Sequence, residues 1–218
     1  MSRINLNQYQ TLVFDCDGVL LNSNKIKTQA FYDVAKVYSH EPAQKLKDYH
    51  LQNGGISRHK KFEYLLTSIL KKPIETQELS ELLTNFSKEV KKGLLTCEIA
   101  KNIKELRKKT KNSTWLVVSG GDQSELREVF KKRGLEEHFD GGIFGSPDDK
   151  NTILINEIDR FNIKGKSLFL GDSLYDYQAA TKAKMDFVFL SRWSDVPNLK
   201  EKFIGRDFLD LSELCNIT

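Results

Sequence analysis

The chain has 218 residues, of which 39% are hydrophobic and 29% are charged, and its formal net charge is +4. These values predict a globular protein with an ordinary core, and the lack of any run of about 18 apolar residues argues against a transmembrane helix. Three scattered cysteines, Cys16, Cys97 and Cys215, fit neither a disulfide framework nor a zinc site. Because the first residues, MSRINLNQYQ, also lack the apolar stretch of a signal peptide, we expect a cytoplasmic protein.

The first predicted element is a short buried strand, TLVFDC, at residues 11–16. Apolar residues then recur at helical spacing and predict four helices. The first is KIKTQAFYDVAKVYSH, and the second begins near Pro42 and ends at the NGG of 53–55. The third covers residues 57–70 and the fourth covers residues 75–94. Residues 24–95 are therefore predicted to be all helical.

This helical segment also carries the basic charge of the chain. Between Lys25 and Leu95 there are 13 Lys and Arg against 8 Asp and Glu, a net charge of +5. Such an excess is typical either of a solvated, lysine-rich surface or of a segment that attracts an anion. No basic stripe interleaved with aromatic residues is present, so a nucleic-acid partner is not expected.

Beyond residue 95, short apolar strands alternate with helices. The predicted strands are TWLVVS (114–119), GGIFG (141–145), SLFLGD (167–172) and FVFLS (187–191), with helices near 97–110, 123–133, 150–161 and 175–184. This alternation is typical of an α/β fold with a doubly wound parallel sheet. We therefore expect a Rossmann-like α/β core domain of residues 1–23 and 96–218, with residues 24–95 inserted as a helical domain.

Carboxylate, hydroxyl and ammonium groups stand at four predicted strand ends. In chain order they are Asp15, Asp17 and Gly18, then Ser119 and Gly120, then Lys150, and finally Asp172 and Asp176. Ligands of doubly wound sheets bind beyond the carboxyl ends of the strands, so we expect these groups to converge. Two carboxylates as close as Asp15 and Asp17 are tolerable when a divalent cation sits between them.

The four motifs FDCDGV, VVSGG, Lys150 and GDSLYD, in this order around a helical insertion, resemble those of the haloacid dehalogenase superfamily of phosphotransferases. The resemblance covers nearly the whole chain and identifies residues 24–95 with that superfamily's helical cap of the first type. It implies a Mg²⁺ site with Asp15 and Asp172 as direct ligands and Asp176 in support. The backbone carbonyl of Asp17 is expected to supply a further oxygen.

The resemblance also implies phosphoryl transfer in two steps. Asp15 attacks phosphorus and forms an aspartyl-phosphate, and Asp17 serves as general acid for the leaving oxygen and then as general base for water. The phosphoryl group is expected to be bound by Gly18, Ser119, Gly120 and Lys150. Haloacid dehalogenases proper lack the second aspartate, so Asp17 indicates phosphate-ester chemistry.

A basic stretch inside the predicted cap, NGGISRHKKF at 53–62, contains a Gly-x-Ser-Arg run. This run resembles the substrate loop of beta-phosphoglucomutases, in which the arginine grips a second phosphate on a sugar. The resemblance predicts Gly55, Ser57, Arg58 and Lys60 as substrate-binding residues of the cap. The alternative interpretation is the start of a surface helix with a basic first turn, although lysines there oppose the helix dipole.

Two features depart from the mutase pattern. The segment after the first motif, LNSNKIKTQ, has Lys25 and Lys27 and no histidine, and VVSGG is closer to phosphatases of the phosphoglycolate phosphatase type. We therefore predict a Mg²⁺-dependent phosphatase that hydrolyses a small phosphomonoester, with a phosphosugar as the best class of substrate. The alternative is a phosphosugar mutase. A non-catalytic binding or regulatory module is less favoured, because no motif residue is missing.

The expected partner of this protein is a small phosphorylated metabolite rather than a nucleic acid or a membrane. A monomer or a weak dimer is expected. The motifs do not specify the substrate any further.

Overall fold

The computed structural model describes residues 4–54 and 56–216. At its centre lies a parallel sheet of six strands, β1 (Thr11–Phe14), β2 (Thr114–Asp122), β3 (Gly142–Ser146), β4 (Ser167–Gly171), β5 (Asp186–Leu190) and β6 (Asp207–Phe208). The strands lie in the order β3-β2-β1-β4-β5-β6, so the chain reverses its direction of winding between β1 and β4. This is the doubly wound α/β sheet that the sequence predicts.

Both faces of the sheet are covered by helices, which explains why its strands are continuously apolar. Leu12 and Phe14 of β1 pack on one face, whereas Val13 between them packs on the other. The first face is covered by α5 (Ile103–Lys109), α6 (Gln123–Lys132) and α9 (Leu211–Asn216), and the second by α7 (Lys150–Asp159) and α8 (Leu174–Lys182).

The segment between β1 and α5 is helical, as predicted. It contains α1 (Asn24–Ala35), α2 (His40–Gln52), α3 (Arg58–Tyr64) with a π-helical turn at Leu65–Ile69, and α4 (Thr76–Thr96). Phe31, Phe62 and Phe86, from three of these helices, contact one another through their rings. The segment therefore packs around apolar residues at the helical spacing seen in the sequence, and these residues are continuous with the core on one face of the sheet.

The structure differs from the predicted elements mainly at their ends. The helix predicted near 97–110 begins only at Ile103, because Asn102 before it has a left-handed backbone conformation. A 3₁₀ helix at Pro197–Phe203, the two-residue β6 and the six-residue α9 were not predicted. Elements this short show no clear period in a sequence.

Within residues 4–54 and 56–216, no helix combines the length and the apolar character needed to span a bilayer.

Candidate active site

The carboxyl ends of β1, β2 and β4 open into a cavity of about 660 Å³. Of the predicted strand-end residues, Asp15, Asp17, Gly120 and Asp172 line this cavity. Much of the remaining lining comes from the helical segment, for example Lys27 of α1. The site therefore lies between the end of the sheet and the helices inserted after β1, where ligands of doubly wound sheets bind.

Three buried carboxylates form a cluster at the strand ends. Asp15, Asp172 and Asp176 each place one oxygen within 4.8 Å of the others. Lys150, the first residue of α7, places its Nζ 2.8 Å from Asp15 Oδ1 and 2.5 Å from Asp176 Oδ1. Even with this ion pair, Asp15 Oδ1 accepts no hydrogen bond of regular geometry. The cluster holds three acidic groups and one ammonium, so its charge is not balanced by the protein alone.

This imbalance shifts the proton affinities of the cluster. Burial, together with repulsion from Asp176 and Asp17, raises the pKa of Asp15 to about 7 despite the attraction of Lys150. Burial and the neighbouring Asp15 raise the pKa of Asp172 well above its ordinary value. Burial by itself would lower the pKa of Lys150, but the carboxylates of Asp15 and Asp176 raise it above its ordinary value. The lysine therefore stays charged, and the carboxylates need a further cation to stay ionised together.

Asp176 is held in place by hydrogen bonds within the first turn of α8. Its Oδ2 accepts hydrogen bonds from the Ser173 backbone N (3.2 Å) and Oγ (2.7 Å), and Ser173 Oγ accepts one from the Asp176 backbone N, forming a capping box at the start of α8. Its Oδ1 contacts Lys150. Because both oxygens of Asp176 have protein partners, Asp15 and Asp172 are the members of the cluster with oxygens to offer.

The cluster suits a magnesium ion. Its donors are carboxylate oxygens, which Mg²⁺ prefers, and among the described residues no histidine or cysteine joins it. Gly18 brings the β1 loop against Asp172: its φ is 79°, and a Cβ at this position would overlap the Asp172 carboxylate. The unbalanced charge and the under-bonded Asp15 Oδ1 are what a bound divalent cation would satisfy.

Asp17 has a different environment from Asp15. Its Oδ2 lies 2.5 Å from Lys27 Nζ, and its Oδ1 accepts a hydrogen bond of 2.6 Å from Ser23 Oγ. Burial would raise the pKa of Asp17, but Lys27 and Ser23 together lower it below its ordinary value. The two aspartates of the first motif thus have pKa values shifted in opposite directions, which is common for a pair with separate catalytic tasks.

The second motif lies at the end of β2. Ser119 is completely buried, and its Oγ accepts a hydrogen bond of 3.0 Å from the Gly121 backbone N. The same Oγ lies 3.4 Å from Asp17 Oδ2. Gly120 and Gly121 line the cavity, so the backbone after Ser119 is open to a ligand.

Asn24 contacts the site although the sequence did not single it out. As the first residue of α1, it donates hydrogen bonds from Nδ2 to Asp172 Oδ2 (2.7 Å) and to the Trp193 backbone carbonyl (2.9 Å). It therefore positions a predicted metal ligand from the helical segment. In the sequence, an asparagine at the start of a helix looks like an ordinary turn residue, and only the fold brings it next to Asp172.

The four substrate residues predicted in the cap have different surroundings. Gly55 lies outside the described residues. Ser57 precedes α3 without making a capping hydrogen bond, and Lys60 is exposed with its Nζ 3.7 Å from Asp149 Oδ2. Neither of these two lines the cavity, whereas Arg58 does.

Arg58 is buried and binds a residue of the core. Its guanidinium donates to both carboxylate oxygens of Glu125 in α6, at 2.7 Å and 3.2 Å, and to Ser87 Oγ at 2.7 Å. It also lies over the Phe86 ring. In this structure Arg58 therefore joins the helical segment to the sheet region, and its strongest partner is a protein carboxylate.

A further basic residue in the cavity wall was not predicted from the sequence. Lys61 of α3 is 2% exposed, and its Nζ lies 2.7 Å from Nδ1 of the buried His50 of α2. Both residues line the cavity. A lysine followed by an aromatic residue in a basic stretch looks like a surface residue, and the imidazole partner is 11 positions away on another helix.

Residues 12–190 match the model of the haloacid dehalogenase-like hydrolase family. The phosphorylated carbohydrates phosphatase of Thermotoga maritima is 24% identical over 194 residues, which are 83% of this chain and 84% of that protein.

Solved structures share the fold. A predicted phosphoglycolate phosphatase from Haemophilus somnus 129PT aligns with a TM-score of 0.74 at 18% identity, covering 98% of this chain and 99% of that one. A beta-phosphoglucomutase from Clostridium difficile aligns with a TM-score of 0.69 at 17% identity, covering 95% and 97% of the two chains.

A doubly wound sheet with a buried carboxylate cluster at its strand ends defines an α/β enzyme. The chain belongs to the haloacid dehalogenase-like hydrolase family, whose model matches most of its length. The predicted superfamily and the predicted enzyme class, a hydrolase of the phosphatase type, are thereby confirmed.

Proposed function

We propose that this protein is a Mg²⁺-dependent phosphatase that hydrolyses a small phosphomonoester through an aspartyl-phosphate on Asp15. The observation that carries the proposal is the buried Asp15–Asp172–Asp176 cluster with Lys150, which is charge-unbalanced and open to the cavity through Asp15 and Asp172. We further propose that residues 24–95 act as a cap domain over a core domain of residues 1–23 and 96–218.

In this proposal Asp15 is the nucleophile. Its carboxylate attacks phosphorus in line, the bond to the ester oxygen breaks, and water later releases phosphate from the acyl phosphate. Mg²⁺, held by Asp15, Asp172 and the Asp17 carbonyl, would supply charge neutralisation for the phosphoryl oxygens. Lys150 neutralises charge on the nucleophile and the phosphoryl group.

Asp17 is proposed as the acid and base. To donate a proton to the leaving oxygen it must first be protonated, and Lys27 and Ser23 oppose this by stabilising its charge. A phosphoryl dianion bound beside Asp17 acts in the other direction, because a nearby negative charge raises the pKa of a carboxyl group. Proton uptake by Asp17 would therefore accompany substrate binding.

Ser119, Gly18 and Gly120 are proposed to hold the phosphoryl group. The buried Ser119 hydroxyl and the open backbone at Gly120 stand at the end of β2, next to Asp17. Backbone N–H groups and a fixed hydroxyl are the kind of pre-positioned donors that stabilise phosphoryl oxygens.

The substrate is proposed to be a small phosphorylated metabolite, and a phosphosugar is the favoured class. A volume of about 660 Å³ is within the range of small-molecule sites and exceeds what a phosphoryl group fills. The Thermotoga maritima relative, which is named for phosphorylated carbohydrates, supports this choice.

The test is release of inorganic phosphate from a panel of phosphomonoesters, including sugar phosphates and an aryl phosphate, with MgCl₂ and with EDTA. We expect hydrolysis with MgCl₂, its loss in EDTA, and inhibition by beryllium fluoride, which mimics the aspartyl-phosphate. Activity unaffected by EDTA would contradict the metal requirement. Conversion of a sugar phosphate to its isomer without phosphate release would show a mutase instead.

A further inference from the structure

The helical segment supplies a cavity wall that is basic beyond what its own acids neutralise. Three cationic side chains, Lys27, Arg58 and Lys61, line the cavity. Lys27 is paired with Asp17, and Arg58 with Glu125. Within the part of the chain that the structure describes, Lys61 forms no ion pair.

Lys61 is nevertheless almost completely buried. Its Nζ has the imidazole of His50 as its hydrogen-bond partner and lies 5.3 Å from the centre of the Phe31 ring. Asp195, which also lines the cavity, and Asp17 both attract the charge of Lys61, but neither forms an ion pair with it. A buried ammonium without a carboxylate partner is costly, and the cost is relieved by an anion from outside the chain.

His50 adds a second unsatisfied group. When Lys61 is protonated it has no lone pair, so it donates to Nδ1, and the neutral ring then carries its hydrogen on Nε2. This Nε2 is buried and has no hydrogen-bond partner. Burial, and the positive charges of Lys61 and Lys27, lower the pKa of His50 well below its ordinary value, which keeps the ring neutral.

When Lys61 is protonated, these two residues of the cavity lining therefore offer hydrogen-bond donors only, and the donor at Nε2 is itself buried. A hydroxyl group could accept one of these bonds but would leave the charge of Lys61 uncompensated. A carboxylate or phosphoryl group satisfies both the donors and the charge, because charge-assisted hydrogen bonds are the strong ones in a desolvated site. Burial and the nearby Lys27 lower the pKa of Lys61 to about 7 against the attraction of Asp17 and Asp195, and a bound anion would favour the protonated form of Lys61.

We propose that Lys61 and His50 form a subsite for a second anionic group of the substrate, so that the preferred phosphomonoester carries a carboxylate or a second phosphoryl group. This inference rests on the proposed function, because the first phosphoryl group is placed at the Asp15 cluster. It assigns the recognition of the second anion to α2 and α3 through Lys61 and His50, whereas Arg58 is occupied by Glu125.

The test measures binding without turnover. Phosphonates that end in a carboxylate, phosphonoacetate, 3-phosphonopropionate and 4-phosphonobutyrate, are titrated in a calorimeter with MgCl₂ against methyl-, ethyl- and propylphosphonate. Alkane bisphosphonates of the same chain lengths form a second arm, which shows whether a carboxylate or a phosphoryl group is preferred. We expect the second anion to raise affinity about tenfold to a hundredfold at the chain length that spans the site.

Three variants locate the effect. Lys61→Met should abolish the gain from the second anion, so that each carboxylate-terminated phosphonate binds no more tightly than the alkylphosphonate of the same chain length. His50→Phe, which keeps the ring contact with Phe31, should remove part of the gain and tests the subsite even if Lys61→Met does not fold. Lys88→Met removes an exposed lysine of α4 and should behave like the wild type.

The two proposals fail in different ways. A gain that persists in Lys61→Met, or no gain in the wild type at any chain length in either arm, overturns the subsite. If the gain is present and depends on Lys61 but no phosphomonoester is hydrolysed, the phosphatase proposal fails and the subsite stands. Hydrolysis without discrimination between 3-phosphoglycerate and glycerol 3-phosphate, together with no gain in binding, leaves the phosphatase and removes the subsite.

Discussion

Two almost completely buried lysines show how the strand-end cluster differs from the helical segment. Lys150 at the strand ends contacts two carboxylates, whereas Lys61 in the helical segment contacts one imidazole. The carboxylates raise the pKa of Lys150 against the effect of burial, while burial lowers the pKa of Lys61 to about 7. The protonated form of a buried lysine is therefore stabilised in one region and destabilised in the other.

In the proposed function, this difference divides the recognition of the ligand between the two regions. At the strand ends the protein has an excess of acid, which a cation would balance. In the helical segment it has a buried base without an acid, which an anion would balance. A phosphate ester that carries a second anion and arrives with Mg²⁺ supplies both kinds of charge.

The largest expected effect is at the strand ends. Asp15→Asn should lower phosphatase activity more than a hundredfold, because the nucleophile is lost, while the fold remains intact because repulsion within the carboxylate cluster is reduced. Hydrolysis of an aryl phosphate with MgCl₂ and circular dichroism measure the two parts. Activity above about one per cent of the wild type would refute the role of Asp15.

Asp17→Asn should separate two classes of ester. Alkyl esters need a protonated leaving oxygen, so their hydrolysis should fall by about 10² to 10⁴, the usual contribution of general acid–base catalysis. An activated aryl phosphate should still transfer its phosphoryl group, and the phospho-enzyme should accumulate because water is no longer activated. Mass spectrometry of the quenched protein detects the adduct; equal losses on both esters without an adduct would remove Asp17 from this role.

Lys150→Met removes the ammonium that balances the acidic cluster. We expect a loss of about 3–5 kcal/mol in the free energy of unfolding, as is usual when one partner of a buried ion pair is deleted. Urea unfolding at pH 8 in EDTA measures the loss, and MgCl₂ should restore part of it. Lys182→Met, an exposed lysine of α8, is the matched control and should match the wild type. A loss under about 1 kcal/mol in Lys150→Met would show that the cluster tolerates its charge unaided.

Lys61→Met should have the opposite sign. The pKa of Lys61 is lowered to about 7 in the folded protein, so above pH 7 the unfolded chain binds a proton that the folded one does not. Below pH 7 the cost of burying the charge is fully present, and it disappears as the pH approaches about 10. The variant should therefore be more stable than the wild type by about 3–5 kcal/mol at pH 6, less the lost bond to His50, and the difference should vanish by about pH 10.

Urea unfolding at pH 6, 8 and 9.5 measures this stability difference, with Lys88→Met as the exposed control. A Lys61→Met protein that is less stable than the wild type at pH 6 would mean that Lys61 stabilises the fold in its own right. A difference that does not change with pH would mean that the charge of Lys61 is not the cause.

The smallest expected effect concerns the connection between the two regions. If Arg58 joins the helical segment to α6, then Arg58→Ala and Glu125→Gln should lower kcat/KM for an aryl phosphate and for a larger ester by the same factor. A double-mutant cycle on unfolding should show a coupling of about 0.5–3 kcal/mol between the two positions. A loss confined to the larger ester, seen in Arg58→Ala and absent in Glu125→Gln, would show that Arg58 contacts the substrate.

Three of the site residues could be predicted from the sequence because each follows directly from an apolar run. Asp15, Ser119 and Asp172 come immediately after apolar runs, and the topology of a doubly wound sheet brings such ends together. The helical segment was predicted from its period, which depends on residues such as Phe31 and Phe86 that pack together.

The contacts between distant helices could not be predicted in this way. His50 and Lys61 face each other across α2 and α3, and Arg58 reaches Glu125, which is 67 positions away. In the sequence these are polar residues in polar surroundings, since their burial depends on how the helices pack. A charge count found the excess of base but could not show which lysine lacked an acid.

The two hydrogen bonds of Asn24 have a consequence for the evolution of this chain. A single side chain at the junction of strand and insertion holds the Asp172 carboxylate and the Trp193 carbonyl, which belong to two different loops of the sheet. Replacing the helical segment with that of a relative would change the cavity wall. It would also replace the residue at the junction, Asn24, with that of the relative. A replacement that begins after Asn24 keeps the hydrogen bond from Asn24 to Asp172, whereas one that begins before Asn24 gives Asp172 a different neighbour.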